Sequence, residues 1–220
     1  KRGLPRVAGH RAGVKTVDHI MEDAVALGIK VLTLYTFSEE NWNRPFREVS
    51  ALMELLHRNL LSKRKKLLDN DVKLRISGSI DRFPSIVRNE LLETMHATDH
   101  CQTMILNLAL GYSGRGEIIG AARRLAEAVA QGRLTIDDIT EDSFSGALST
   151  SGLPDPDLII RTSGEYRLSN FLLWQASYAE LFFTHCLWPD FDKDELVRAI
   201  IDYQSRDRRF GGLTSRETSL

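Results

Sequence analysis

Two hydrophobic periods alternate along this chain, one typical of amphipathic helices and one typical of buried strands. In residues 9–27 the apolar positions Val14, Val17 and Ile20 recur at helical spacing, and Gly28 then provides a stop signal. Residues 31–37 form a continuous run of β-prone side chains, as expected for a strand covered on both faces. The same reasoning predicts helices at 47–68, 85–98, 114–131 and 192–206, a shorter helical segment from Thr135, a short buried helix at 171–174, and strands at 72–76, 104–110, 157–161 and 181–183.

Helices and strands alternate almost throughout the 220 residues, and this order predicts an α/β fold. We expect a single domain over residues 1–220, because no linker rich in proline, glycine or serine divides the chain. Its central sheet is predicted to be mostly parallel and flanked by helices. In such folds ligands bind beyond the carboxyl ends of the strands. The polar loop (residues 38–45) and the arginine turn (residues 161–170) both follow predicted strands, so we expect them on the same side of the molecule.

The charge balance and the cysteines argue against several classes of protein. A formal net charge of -1 disfavours a duplex nucleic-acid binder, which usually carries a marked basic excess, so no nucleic-acid partner is expected. Cys101 and Cys186 show no metal-ligand spacing, and they are interpreted as free thiols in a reducing cytosol. Because the sequence shows neither a signal peptide nor an apolar run of bilayer length, we expect a cytoplasmic protein.

The arginine turn is the segment with the strongest chemical signal. It reads Arg-Thr-Ser-Gly-Glu-Tyr-Arg-Leu-Ser-Asn and lies between an apolar strand and the predicted helix 171–174. Arg161 and Arg167 supply two guanidinium groups, whose forked N–H donors match phosphate oxygens in geometry and charge. A helix N-terminus would add free backbone N–H groups directed the same way. The turn is therefore predicted to bind a phosphorylated ligand.

The polar loop and the start of the first helix are further candidates. The polar loop is interpreted either as a solvated connection held by a packed Trp42 or as part of a site, and its place beside the arginine turn favours a site. Arg6 and His10 lie near a predicted helix N-terminus, where a diphosphate could bind. The alternative for His10 is an ordinary residue at the surface or the edge of the core.

Two carboxylates have an ambiguous environment in the sequence. Glu180 lies in an apolar stretch, where a carboxylate is costly unless it is paired or bound to a metal. Beside phosphates such a hard oxygen ligand suggests Mg²⁺, although one carboxylate alone makes a poor magnesium site. A salt bridge to a nearby arginine is the alternative, and Glu165 has the same two interpretations. The basic segment 206–212 could belong to a site or be a solvated terminus.

These segments together resemble the cis-prenyltransferase family, and within it the bacterial undecaprenyl diphosphate synthases. The resemblance spans nearly the whole chain, and its motifs occur in the order of the family. The matching stretches are residues 9–13, 34–45, 48–49, 107, 112–115, 161–175, 178–181 and 187–191.

The resemblance implies an enzyme that condenses isopentenyl diphosphate onto an allylic diphosphate, usually farnesyl diphosphate, to give a long cis-polyprenyl diphosphate. It also implies Mg²⁺ as the cofactor that assists departure of the allylic diphosphate, a homodimer, and transient membrane contact through the lipid product. An apolar tunnel between sheet and helices would hold the growing chain. Leu106, Leu108 and the helix from Val49 to Leu67 are candidates for its wall, with plain core packing as the alternative.

The resemblance also implies roles for individual residues. Arg6 and His10 look like ligands of the allylic diphosphate, and Glu180 looks like a magnesium ligand. Asn41 is a candidate for assisting proton removal, and Arg209 and Gly211 match an element that reaches the site across a dimer interface. The isopentenyl diphosphate site would comprise Arg161, Arg167, Leu168 and Ser169, and the reaction centre would be lined by Ser38, Glu39, Glu40, Trp42 and Arg44.

One family signature is absent from the sequence. Members of the family carry an N-terminal strand that ends in Met-Asp-Gly-Asn-Gly-Arg-Trp, and its aspartate is the principal catalytic residue. We expect this strand to be omitted from the sequence rather than truly lacking, and a polypeptide that really began at Lys1 is expected to be nearly inactive. Two alternatives stay open: a non-catalytic partner subunit of a prenyltransferase, and an unrelated phosphate-binding module.

Overall fold

Every strand pair in the described part of the molecule is parallel, as the alternation of elements predicts. The computed structural model describes the backbone of residues 6–207 and the side chains of residues 12–207. Its helices are α1 (Arg6–Ala26), α2 (Phe46–Asp69), α3 (Ser85–Ala97), α4 (Gly114–Ala130), α5 (Glu141–Gly146) and α6 (Lys193–Gln204). Its strands are β1 (Val31–Ser38), β2 (Val72–Gly78), β3 (Met104–Tyr112), β4 (Leu158–Arg161) and β5 (Glu180–Phe183). Short 3-10 turns cover Glu39–Asn43, Ile136–Asp138, Gln175–Tyr178 and Trp188–Asp190.

The ends of several helices coincide with residues that favour them. Ser113 precedes α4 and its Oγ accepts a hydrogen bond from the backbone N–H of Gly116 at 3.1 Å. Asp192 caps α6 in the same way by accepting from the backbone N–H of Glu195 at 3.0 Å. Such caps satisfy backbone donors that a helix leaves unpaired in its first turn. Local sequence therefore fixes where these helices begin.

The strands form two parallel sheets. In the larger sheet β3 lies between β1 and β2, and Leu106 of β3 lies opposite both Leu32 of β1 and Leu74 of β2. β4 and β5 pair with each other in a smaller sheet. Side chains connect the two sheets, because Leu32 and Ile160 of β4 both pack against the hydrophobic cluster that contains Phe191. The two sheets therefore share one hydrophobic cluster.

The main core fills the layer between the larger sheet and the helices. The buried residues of α2 recur at intervals that place them on one face of the helix. They are Val49, Met53, Leu60 and Leu67. Leu106 and Leu108 of β3 are 4% and 7% exposed and belong to the same core. The predicted tunnel would run in this layer. Among the helices of residues 6–207, none combines the length and apolar character needed to cross a bilayer.

The prediction of a short helix at 171–174 is wrong. The backbone is left-handed at Ser169, Asn170 and Leu172, with φ values of 53°, 62° and 45°, and a right-handed helix cannot pass through such residues. A four-residue 3-10 turn, Gln175–Tyr178, follows instead. The expectation that a helix N-terminus supplies N–H groups to the arginine turn is therefore wrong as well.

Candidate active site

The polar loop and the arginine turn lie at the same edge of the molecule, as predicted. Tyr35 of β1 stacks on Phe171, with ring centroids 4.6 Å apart and planes at 16°. Its hydroxyl donates to the carbonyl of Tyr112, the last residue of β3, at 3.3 Å. Phe171 directly follows the arginine turn, so this aromatic group joins the carboxyl ends of β1 and β3 to the turn after β4.

Asn170 makes the most direct connection between the two segments. Its Nδ2 donates to Glu40 Oε1 in the polar loop at 2.8 Å and to Ser113 Oγ at 2.8 Å. Its Oδ1 accepts from the backbone N–H of Arg115 at 2.8 Å, and its carbonyl accepts from that of Gly114 at 2.8 Å. One side chain therefore links the arginine turn, the polar loop and the start of α4.

These contacts set the protonation of two groups at the site. The hydrogen bond from Asn170 lowers the pKa of Glu40 below its usual value, which favours the carboxylate. Burial, with a smaller contribution from the Glu40 carboxylate, raises the pKa of Tyr35 to about 12. At neutral pH the site thus contains an ionised Glu40 beside a neutral Tyr35.

The two arginines of the turn differ in their partners. Arg161 ends β4, is partly buried, and lies near Tyr35, and no carboxylate within residues 12–207 forms an ion pair with it. Arg167 is 60% exposed and forms an ion pair with Glu165, so the salt-bridge interpretation of Glu165 is confirmed. Arg161 is therefore a positive charge without a counter-ion among the described side chains, which suits it to an anionic ligand.

The backbone of the arginine turn is fixed by the segment after β5. Ser163 and Gly164 donate their N–H groups to the carbonyls of Cys186 and Thr184 at 2.7 and 2.8 Å. Gly164 has a φ of +68°, and a Cβ there would lie 2.6 Å from Nδ1 of His185. Only glycine fits this position without displacing its neighbour.

Several residues of the polar loop face away from the arginine turn. The ring centroid of Trp42 lies 4.8 Å from that of Phe37 and 5.2 Å from that of Phe83. This packing is what we expect if Trp42 anchors the polar loop to the core. Arg82 stacks over Trp42 at 4.8 Å and pairs with Glu39 at 2.5 Å. The indole Nε1 of Trp42 is buried and has no hydrogen-bond partner in the described structure. These contacts hold the loop against the segment between β2 and α3.

The remaining loop residues are held locally. Ser38 donates its backbone N–H to Asn41 Oδ1 at 3.1 Å, which orients the Asn41 amide. Arg44 pairs with Glu48 of α2 at 3.0 Å. Of the predicted loop residues, Glu40 is the one whose side chain accepts a hydrogen bond from the arginine turn in the described structure. Leu168 is partly buried, and Ser169 is exposed.

Glu180 begins β5 and forms the salt bridge that the sequence offered as an alternative to a metal. Arg206, just after α6, donates from Nη1 to Glu180 Oε2 at 2.6 Å. Among the residues that the structure describes, no group of three His, Cys, Asp or Glu side chains is arranged to hold a metal ion.

A buried carboxylate, Glu117, joins the elements next to the site. Glu117 of α4 is 9% exposed and accepts from the hydroxyl of Tyr112 and from Gln175 Nε2, the latter at 2.9 Å. Its other oxygen accepts from the N–H and the hydroxyl of Ser149 at 3.2 and 2.8 Å. Burial and the Glu117 carboxylate raise the pKa of Tyr112 well above its ordinary value. This network joins α4, the end of β3 and the 3-10 turn before β5.

Sequence reasoning did not single out Asn170, Tyr35 or Glu117. An asparagine that ends a polar turn is a weak signal for left-handed backbone, which asparagine tolerates better than most residues. The aromatic contact of Tyr35 and the burial of Glu117 depend on packing between distant elements. Arg6 and His10 lie in the first turns of α1, but their side chains are outside the described part of the chain, as are Arg209 and Gly211 entirely.

Asn170→Ala is expected to raise the pKa of Glu40 towards its usual value and to lower the free energy of unfolding by about 2 to 3 kcal/mol. The loss combines three side-chain hydrogen bonds with an unfavourable alanine at positive φ. NMR titration of the Glu40 carboxyl measures the pKa, and urea denaturation measures the free energy of unfolding.

Asn170→Gly is the matched control, because it removes the same side chain but keeps the backbone conformation accessible. It should raise the pKa of Glu40 as much as alanine does while costing less stability. An unchanged Glu40 pKa in both variants would contradict the assigned role of Asn170.

Comparison with known proteins gives the same picture for the chain as a whole. A model of the family described as "Putative undecaprenyl diphosphate synthase" matches residues 1–211. An isoprenyl transferase from Clostridium perfringens (strain 13 / Type A) is 50% identical over 213 residues, which cover 97% of this chain and 84% of that protein. An isoprenyl transferase from Bacillus subtilis (strain 168) is 48% identical over 213 residues, covering 97% of this chain and 82% of the relative.

Two solved structures share the fold. Lavandulyl diphosphate synthase from Lavandula x intermedia, crystallised with dimethylallyl diphosphate, matches with a TM-score of 0.92 and 38% identity, covering 96% of this chain and 91% of that chain. A probable undecaprenyl diphosphate synthase from Campylobacter jejuni matches with a TM-score of 0.80 and 39% identity, covering 91% of this chain and 92% of that chain. Sequence motifs, fold and relatives agree: the chain belongs to the undecaprenyl diphosphate synthase family and is a cis-prenyltransferase.

Proposed function

We propose that this prenyltransferase condenses isopentenyl diphosphate onto an allylic diphosphate and releases a cis-polyprenyl diphosphate. The observation that carries the proposal is the guanidinium of Arg161, which lies at the carboxyl end of β4 without a carboxylate partner among residues 12–207. A diphosphate supplies the missing negative charge. The dimethylallyl diphosphate bound to the lavandulyl diphosphate synthase is an allylic diphosphate on the same fold, which supports this class of primer.

The arginine turn is the proposed site for isopentenyl diphosphate. Arg161 and Arg167 would donate charge-assisted hydrogen bonds to the two phosphates, and Arg167 would exchange Glu165 for the substrate. The exposed hydroxyl of Ser169 can add a donor, while the partly buried Leu168 contacts the apolar part of the substrate. Neutralising the diphosphate in this way holds its reactive alkene in a fixed position.

The polar loop is proposed to carry the reaction centre. Asn41 is held by Ser38 with its amide oriented, and it is the candidate for assisting removal of the proton. Glu40 reaches the arginine turn through Asn170 and so fixes the distance between the loop and the turn. Glu39, Trp42 and Arg44 contribute by holding the loop in shape against its neighbours.

Mg²⁺ is the proposed cofactor, with Glu180 as a ligand. This carboxylate is 28% exposed and already faces a cation, so the position accepts positive charge. Magnesium commonly uses one or two protein carboxylates and takes its other ligands from water and substrate phosphates. In the described chain Glu180 lies opposite Leu158 at the start of the β4–β5 ladder, whereas Arg161 lies at its end. The metal would neutralise charge on the departing diphosphate.

Further roles are proposed for residues whose side chains lie outside the described part of the chain. A second subunit, a product tunnel and the membrane are also proposed to take part. Arg6 and His10 would bind the allylic diphosphate, and Arg209 and Gly211 would reach the site of a second subunit in a homodimer. The apolar layer between sheet and helices would form the product tunnel. We further propose that the enzyme works in the cytoplasm and contacts the membrane transiently through its lipid product.

Incorporation of radiolabelled isopentenyl diphosphate tests the function. The full-length protein should extend farnesyl or dimethylallyl diphosphate to a butanol-extractable product with Mg²⁺ and should lose this activity with EDTA. Binding of isopentenyl diphosphate without product would favour the non-catalytic partner subunit. Absence of both binding and product would contradict the proposed substrates.

A further inference from the structure

Arg82 follows β2 and lies outside every stretch of sequence from which the site was predicted. Its Nη1 donates to Glu39 Oε1 at 2.5 Å, and its guanidinium carbon lies 4.8 Å from the ring centroid of Trp42. Both partners belong to the polar loop. One side chain from the segment between β2 and α3 therefore makes an ion pair and a cation–π contact with the loop that follows β1.

The backbone that carries Arg82 is held in place by close packing. Its neighbour Phe83 is 3% exposed, and the ring centroid of Phe83 lies 5.2 Å from that of Trp42. Three residues before Arg82, the carbonyl oxygen of Ser79 lies 2.1 Å from the place that a Cβ at Gly111 would occupy. Only glycine permits this segment to approach β3 so closely. The guanidinium of Arg82 therefore extends from a fixed base.

Two neighbouring carboxylates of the polar loop have their partners in two different segments. Glu39 accepts from Arg82, whereas Glu40 accepts from Asn170 of the arginine turn. Asn41 comes next in the same 3-10 turn. A loop held by one segment can pivot about that contact, whereas contacts to two segments fix its position. The pair of contacts therefore determines where Asn41 lies relative to the arginine turn.

We propose that Arg82 is a positioning residue, which holds the polar loop from the side of β2 and so keeps Asn41 in place for prenyl transfer. The inference rests on the proposed function, in which Asn41 assists removal of the proton. Reactions of bound substrates are sensitive to small displacements of the groups that assist them. Loss of Arg82 should therefore lower turnover without weakening the binding of isopentenyl diphosphate, whose proposed site is the arginine turn.

Steady-state kinetics and isothermal titration of the full-length protein test this role. Arg82→Ala should lower kcat about 5- to 20-fold, because the loop loses two contacts and more often places Asn41 away from the substrate. The Kd for isopentenyl diphosphate should stay within about 2-fold of the wild-type value, because Arg161 and Arg167 are unchanged. Arg82→Lys keeps a charge for Glu39 but loses the flat guanidinium, so it should recover part of kcat.

Arg88→Ala is the matched control. Arg88 lies nearby on α3 and donates to the backbone carbonyl of Asp81 at 3.3 Å, so its loss should leave kcat unchanged. The indole N–H signal of Trp42 in heteronuclear NMR spectra reports on the loop directly. This signal should shift in Arg82→Ala and stay in place in Arg88→Ala.

An Arg82→Ala enzyme with the kcat of the wild type would overturn the inference, whether or not its stability falls. A Kd for isopentenyl diphosphate that rises as far as in Arg161→Ala would overturn it too, because Arg82 would then bind the substrate itself. A fall in kcat that Arg88→Ala reproduces would show a general effect of the segment and would also contradict the assignment. The proposed function fails separately, if the wild-type protein forms no labelled polyprenyl diphosphate.

Discussion

Substitution of Arg161 by alanine is expected to raise the dissociation constant for isopentenyl diphosphate by roughly 30- to 700-fold, which is about 2 to 4 kcal/mol. The size of the effect follows from the position of this guanidinium, which is partly buried at the end of β4 and has no carboxylate partner among residues 12–207. Its loss leaves Arg167 as the one remaining guanidinium of the arginine turn for the substrate phosphates. Isothermal titration with isopentenyl diphosphate measures the change directly.

Two other arginines serve as comparisons for this result. Arg167→Ala should weaken binding towards the lower end of the same range, because Arg167 must first leave Glu165. Arg58→Ala should have no effect, because Arg58 is 70% exposed on α2 and pairs with Glu54 of the same helix. An Arg161→Ala protein that binds isopentenyl diphosphate as well as wild type would show that the arginine turn is not the diphosphate site.

Glu117→Ala is expected to lower the free energy of unfolding by about 2 to 5 kcal/mol. The substitution removes the acceptor shared by the hydroxyl of Tyr112, the amide of Gln175 and both donors of Ser149. Tyr112 is 0% exposed, so its hydroxyl cannot find water in exchange. A buried donor without a partner carries its full desolvation cost. Urea denaturation followed by far-UV circular dichroism gives the free energy.

Glu127→Ala is the matched control on the same helix, because Glu127 is exposed and should change stability by no more than about 0.5 kcal/mol. Glu117→Gln keeps the shape and part of the hydrogen bonding, so its loss should be smaller than that of alanine. If Glu117→Ala unfolds at the same urea concentration as Glu127→Ala, the network does not stabilise the fold.

Most of the fold follows from local sequence, because the long elements carry a clear period and clear end signals. The helix predicted at 47–68 is α2 at 46–69, and the strand predicted at 104–110 is β3 at 104–112. The failure at 171–174 has a physical cause. A short apolar run is compatible with a buried helix or with a packed turn, and periodicity cannot distinguish the two. The left-handed residues that decide between them carry ordinary side chains.

The site was predictable where topology alone determines it. Parallel strands bring their carboxyl ends together, so the arginine turn and the polar loop were expected to meet. The contact that joins them, Asn170 to Glu40, spans 130 residues and depends on the exact register of the strands. Likewise the sequence offered a salt bridge for Glu180, but packing of α6 on β5 selects Arg206 from several candidate arginines.

The left-handed backbone at Ser169, Asn170 and Leu172 limits how this enzyme can be redesigned. β-Branched side chains (valine, isoleucine and threonine) are strongly disfavoured at such φ values by steric overlap with their own backbone, whatever chemistry they would offer a substrate. A library that randomises these three positions should consequently return few valine, isoleucine or threonine residues among folded variants. Attempts to alter substrate preference will have more usable diversity at neighbouring positions with extended backbone.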